Sequence, residues 1–165
     1  MHYFFVDASA LVKRYHHESG SDVINHLFDT LLHSSPERIA ITPLILSETI
    51  SVLSRKHHGG SIPLDLYQKA TARLLLETRL MNSQSIDDET ILHSIPFVHR
   101  YNLNASDALH LFQALNLKNL LKNMEHDLIL LTSDRRLLRA TDHEGLLTLN
   151  PEEAAQEDLE AFLQI

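Results

Sequence analysis

The run Leu128-Ile129-Leu130-Leu131-Thr132 limits most what this chain can fold into. Apolar residues in succession, without polar alternation, describe a strand covered on both faces, as strands inside a parallel sheet are. Parallel strands need a long crossover between them, usually a helix. The sequence supplies these crossovers. β-favouring runs at Tyr3-Phe4-Phe5-Val6 and Arg38-Ile39-Ala40-Ile41, a weaker one over 81–86 and a last one over 145–149 alternate with segments of helical period. The expected class is α/β, with a central, mostly parallel sheet of about five strands, right-handed crossovers and helices on both faces.

Helix boundaries follow from local chemistry. Gly20-Ser21-Asp22 opens a helix carried by Val23, Ile24, Leu27, Phe28 and Leu31, and Thr42-Pro43 is an N-cap with proline in the first turn. The helix after Pro43 stops at Gly59-Gly60. A wide apolar face over 63–80 (Leu64, Tyr67, Ala70, Leu74, Leu75) is expected to pack into the core and also suits a subunit contact. Asp87 or Asp88 caps a helix through His99. Asn104 caps the next helix, which places Asp107 at its third position and buries Ala108, Leu111, Phe112 and Leu115. Ser133 is expected to cap a helix beginning at Asp134, and Asn150-Pro151 to start an acidic terminal helix.

Four acidic residues stand where such a sheet collects ligands. Asp7 ends the first strand and Asp134 follows the strand at 128–132 by two residues, so both lie at carboxyl ends of strands, where open α/β sheets bind their ligands. Asp107 in a first turn and Glu48 about a turn and a half into its helix reach the same edge. As an alternative, a first-turn acid serves only the helix dipole, and an acid in an apolar stripe serves only a buried ion pair to an arginine. Two carboxylates about 4 Å apart repel by roughly 4 kcal/mol at an effective dielectric of 20, so a convergent set takes up protons or a cation. All-oxygen ligands suit Mg²⁺ or Mn²⁺, ions that activate water for attack on phosphorus.

Charge qualifies the choice of partner. The net charge is −8, which disfavours a nucleic-acid ligand at first sight. Residues 151–165 hold five acids and no Lys or Arg, however, so the body of the chain carries only −3. Lys13, Arg14, Arg55, Lys56, Arg135, Arg136 and Arg139 are the cations near the expected crevice, with Arg135 and Arg136 best placed and Lys13 and Arg14 next as RNA-phosphate contacts. The 12 histidines include adjacent pairs that point apart on a helix and no H-E-x-x-H spacing, so no histidine metal site is expected. The chain has no cysteine, no apolar run of membrane-spanning length and no secretory leader pattern, and a cytoplasmic location is expected.

The segments Asp7-Ala8-Ser9-Ala10-Leu11-Val12, Leu46-Ser47-Glu48, Ala105-Ser106-Asp107-Ala108-Leu109-His110-Leu111 and Leu131-Thr132-Ser133-Asp134-Arg135-Arg136-Leu137 resemble, in order, the four acidic motifs of the PIN-domain nucleases, especially VapC-type toxins of toxin–antitoxin pairs. The resemblance implies a three-layer α/β/α sandwich over 1–150, with 151–165 as an acidic C-terminal helix on the same domain. It implies that Asp7, Glu48, Asp107 and Asp134 form the catalytic, metal-binding quartet of an endoribonuclease using Mg²⁺ or Mn²⁺. Ser9 and Ser133 match the supporting hydroxyls. An RNA substrate, a cognate antitoxin protein and a homodimer are implied as partners, and no membrane. Ala8 departs from the family, which often has threonine there. The terminal helix also lies beyond the usual core, where an acidic segment could shield the site or bind a partner; it is read first as a solvated amphipathic helix with Leu159, Phe162 and Leu163 turned inward.

Two other readings compete. An aspartyl-phosphate phosphotransfer or phosphatase domain also places an Asp after its first strand, but Asp7-Ala8-Ser9 lacks the second acid of D-x-D and no Lys follows the later strands. A PIN-like module that has lost catalysis and works through protein contact is the other.

Overall fold

The computed structural model describes residues 1–163; the last two residues of the expected terminal helix lie outside it. Five strands form one wholly parallel sheet: β1 (His2–Val6), β2 (Ile39–Ile41), β3 (Asn82–Ser83), β4 (Asp127–Leu131) and β5 (Leu147–Leu149), in the order β3-β2-β1-β4-β5. β1 and β4 form its centre, paired from His2 with Asp127 to Val6 with Leu131. Phe4, Phe5, Val6, Ile39, Ala40, Ile41 and residues 128–131 are all buried, which is why these strands read as unbroken apolar runs.

The crossovers are α1 (Ala8–Leu11), extended by a 3₁₀ turn at Val12–Arg14, α2 (Ser21–Leu31), α3 (Pro43–His58), α4 (Leu64–Glu77), α5 (Asp88–Tyr101), α6 (Ala105–Lys122) and α7 (Arg135–His143), followed by α8 (Gln156–Leu163). The layers are those of an α/β/α sandwich: α5, α6 and α7 pack together with α6 on β4, α2 packs with α8, and α3 with α1 and α4. Among the described residues no helix is long and apolar enough to cross a membrane.

The expected caps hold at Thr42, Asp87 and Asn104, whose side chains accept from the amides of Ile45, Thr90 and Asp107. Four expectations change. Asp134, not Ser133, is the N-cap of α7, because its carboxylate takes the amides of both Arg136 and Leu137. The strand expected over 81–86 shrinks to Asn82–Ser83. α4 fully buries only Leu74, while Leu64 and Leu75 stay 55% and 43% exposed, since the helix rests on one narrow stripe. The terminal helix starts at Gln156, after a turn in which the carbonyl of Asn150 takes the amides of Glu153 and Ala154.

That turn is seated on α2. Gly20 precedes the helix with φ +83°, and a Cβ there would lie 2.5 Å from the Pro151 carbonyl, so glycine meets both the left-handed backbone and the close approach. Leu159 and Leu163 of α8 are buried and Phe162 is partly so, which leaves the acidic face to solvent as expected.

Candidate active site

Strand order decides where the site lies. The chain leaves β1 toward β2 on one side and returns to β4 on the other, so the carboxyl ends of β1 and β4 flank the point where the winding reverses. The amide of Asp7 bonds the carbonyl of Leu131 at 3.0 Å, which ties the first residue after β1 to the end of β4. A pocket of about 370 Å³ opens there, lined by Asp7, Ala8, Ser9, Glu48, Ser51, Val52, Arg55, Asn104, Ser106, Asp107 and Asp134. All four acids singled out from the sequence line it.

Asp7 is buried, and its Oδ2 accepts from the Ser9 amide at 3.2 Å, the Ser9 hydroxyl at 2.7 Å and the Thr132 hydroxyl at 3.0 Å. All three bonds fall on one oxygen, so Oδ1 is left to accept elsewhere. Asp134 likewise commits Oδ1 to capping α7, at 2.7 Å from the Arg136 amide and 3.1 Å from that of Leu137. A capping role thus accounts for one oxygen of each carboxylate. It accounts for neither second oxygen.

Glu48 is half-buried, with Oε2 2.8 Å from Nε2 of His110. Burial would raise its pKa, but the His110 hydrogen bond and the polar Ser106 side chain beside it outweigh that and hold it below the usual carboxylate range. The buried ion pair to an arginine does not form; a histidine takes that place. Asp107 has no such help. Its Oδ2 is buried without a hydrogen-bond partner, and burial, then the charges of Asp7 and Asp134, push its pKa up to about 6. A buried oxygen with no donor, among carboxylates that repel one another, fits a hard cation bound by oxygen ligands. Asp7 and Glu48 bring carboxylate oxygens within 4.8 Å of each other, with the His110 ring beside them, so these two acids too could hold a metal ion.

One of the polar assignments needs correction. The Ser133 hydroxyl is buried without a hydrogen bond, and only its amide joins the site, donating to Ser9 Oγ at 2.9 Å. Thr132 does the supporting instead: its hydroxyl bonds Asp7 and accepts from the Asp134 amide at 3.1 Å, so one side chain links two of the acids. Its spacing, two residues before Asp134, is the signal that the sequence held. His110 was missed altogether. It stands three residues after Asp107 in an apolar stripe, a position where a polar ring needs a partner.

The cations divide as well. Lys13 is 2% exposed and bridges Glu18 at 3.1 Å and Glu152 at 2.7 Å, while Arg14, also buried, bonds Asp29, Glu77 and Asn25. Neither lines the pocket, and carboxylates from the loop before α2, from α2, from α4 and from the terminal segment already pair with the charges of these two candidate RNA contacts. Arg55 lines the pocket, and Arg135 and Arg136 are exposed beside Asp134.

The family model described as the PIN domain matches residues 4–143. No curated protein matches the sequence. Among solved structures, a protein of Pyrobaculum aerophilum is similar at 20% identity and a TM-score of 0.64, covering 99% of this chain and 98% of that one. A toxin–antitoxin complex from Klebsiella pneumoniae matches at 18% identity and TM-score 0.53, covering 91% and 98%. VapC20 of Mycobacterium tuberculosis, a sarcin-ricin loop cleaving toxin, matches at 14% identity and TM-score 0.57, covering 83% and 94%. At these identities the likeness is one of fold.

Proposed function

Because the chain belongs to the PIN domain family, we propose that it is a Mg²⁺- or Mn²⁺-dependent endoribonuclease and the toxin of a toxin–antitoxin pair. The observation that carries this is the pocket in which Asp7, Glu48, Asp107 and Asp134 meet, with Asp107 pushed up to about 6. Bound there, a hard divalent cation supplies activation of water for in-line attack on a phosphodiester and stabilisation of the leaving oxygen. The protein's share is positional. Ser9 and Thr132 lock Asp7 through Oδ2, the turn into α7 locks Asp134 through Oδ1, and Asp107 presents an oxygen with no competing donor. Arg55 and the exposed pair Arg135 and Arg136 provide positive charge at the rim for RNA phosphates.

The toxin role draws on the likeness to VapC20 and to the Klebsiella pneumoniae toxin–antitoxin complex, and it implies a cognate antitoxin as partner and a cytoplasmic setting. A homodimer is proposed with it, the exposed Leu64 and Leu75 lying on one face of α4 suited to a subunit contact.

The test is incubation of the purified chain with a pool of structured RNAs in Mg²⁺, Mn²⁺ or EDTA, beside Asp107→Asn. Cleavage that requires the metal and disappears in the variant is expected. Mn²⁺ binding with no cleavage of any RNA would replace the nuclease with a silent binding module of the same fold.

A further inference from the structure

We propose that His110 is a positioning residue of this site, holding the Glu48 carboxylate in the acidic pocket through an Nε2–H hydrogen bond. The inference rests on reading the pocket as a divalent-cation site. One helix then does two things: α6 presents Asp107 directly, and three residues later, on the same side, it sends His110 across to α3.

The ring's surroundings define what it does. His110 is 0% exposed, and an enclosed imidazole without a hydrogen bond is costly. Nε2 lies 2.8 Å from Glu48 Oε2, while Nδ1 is buried with no partner. A hydrogen on Nδ1 would leave a buried donor unsatisfied, whereas the neutral ring with its hydrogen on Nε2 leaves only a lone pair there. Nε2 is therefore the donor, and Glu48 accepts.

Glu48 needs such a donor. Its carboxylate is within 4.8 Å of Asp7, close enough for strong like-charge repulsion, and its side chain is long enough to swing out to water. The fixed N–H opposes both the repulsion and the rotational freedom. His110 acts through Glu48 and not as a ligand, since its one paired nitrogen is already occupied and its ring is enclosed.

The experiment is Mn²⁺ titration calorimetry on the full chain, with thermal melting as a check of folding. His110→Met and His110→Gln fill similar volumes, but only Gln keeps an N–H at the reach of Nε2. The Met variant is expected to bind Mn²⁺ about 10- to 100-fold more weakly, the usual scale for losing a residue that orients a metal ligand, and Gln to recover most of it. In a Glu48→Gln background, His110→Met should change the affinity less than about twofold, because the group it acts through has lost its charge. His110→Asn, too short to reach Glu48, takes the place of Met if that variant does not fold. Three results would overturn the proposal: unchanged affinity in His110→Met while Asp107→Asn loses it, an equal loss with and without the Glu48 charge, or failure of Gln to rescue. If Asp107→Asn also binds Mn²⁺ like the parent, the cation site itself fails and His110 with it.

Discussion

Asp107 and Glu77 are both carboxylates drawn into the protein, yet their surroundings treat the negative charge in opposite ways. Burial would raise Glu77, but Arg14, Arg73 and Tyr15 reach it at 3.2, 2.8 and 2.9 Å and hold its pKa below the usual range. Burial raises Asp107 too, and there Asp7 and Asp134 add to the effect. The Arg14 cluster is a neutralised knot that fastens the turn after α1 to α2 and α4. The Asp107 cluster is a set of like charges that the fold holds together at a cost. Satisfied polar groups serve stability, and unsatisfied ones that persist in a pocket mark where a ligand is expected.

The largest break of that contrast comes from Asp107→Asn. Metal-dependent RNA cleavage should fall by at least about 100-fold, the scale of a lost electrostatic contact to the transition state, while the fold survives in urea titration. Unfolding under mild conditions would instead make Asp107 a structural residue like Glu77. Glu77→Gln should show the converse, with cleavage per folded molecule unchanged and stability lowered by about 2 kcal/mol. That is less than the ~3–5 kcal/mol of a fully broken buried pair, because Asp29 and Asn25 still hold Arg14.

A pH series on the metal-free protein sharpens the comparison. Asp107 has its folded pKa at about 6, above its ordinary 3.8, so its contribution to stability is fully present below about 4 and is lost as pH rises through 6. Acidifying from pH 7 to 5 should therefore favour the parent over Asp107→Asn; the difference between the two melting curves subtracts the histidines. Glu77 runs the other way, its contribution being present above the ordinary carboxylate pKa and lost as pH falls through its depressed value. A parent and variant whose melting temperatures track together across this range would deny the crowding at Asp107. The smallest effect is expected at Glu160→Gln, which removes the exposed contact to His26: a change within about 0.5 kcal/mol by denaturant titration.

The four acids were legible because each sits at a junction with its own local signature: Asp7 after an apolar run, Asp107 in a capped first turn, Asp134 just past the strand at 128–132, Glu48 as a charge inside an apolar stripe. Helix starts at Thr42, Asp87 and Asn104 were legible for the same reason, since a cap is settled within three residues. Ser133 and Thr132 show the limit. Both are hydroxyls within two residues of Asp134, and only the turn between β4 and α7 determines which one faces Asp7 across the sheet.

The sequence by itself determined the alternation of strands and helices, the parallel sheet and the four carboxylates, because period, caps and apolar runs act between neighbours in the chain. Only the tertiary structure decided which charges are already neutralised and which are not. Glu152 lies 139 residues from Lys13, Glu77 lies 63 from Arg14, and His110 lies 62 from Glu48. No local pattern encodes such pairs. They arise where the crossovers pack α1, α3, α4 and α6 around the carboxyl ends of β1 and β4, and the strength of each follows from the water that packing excludes.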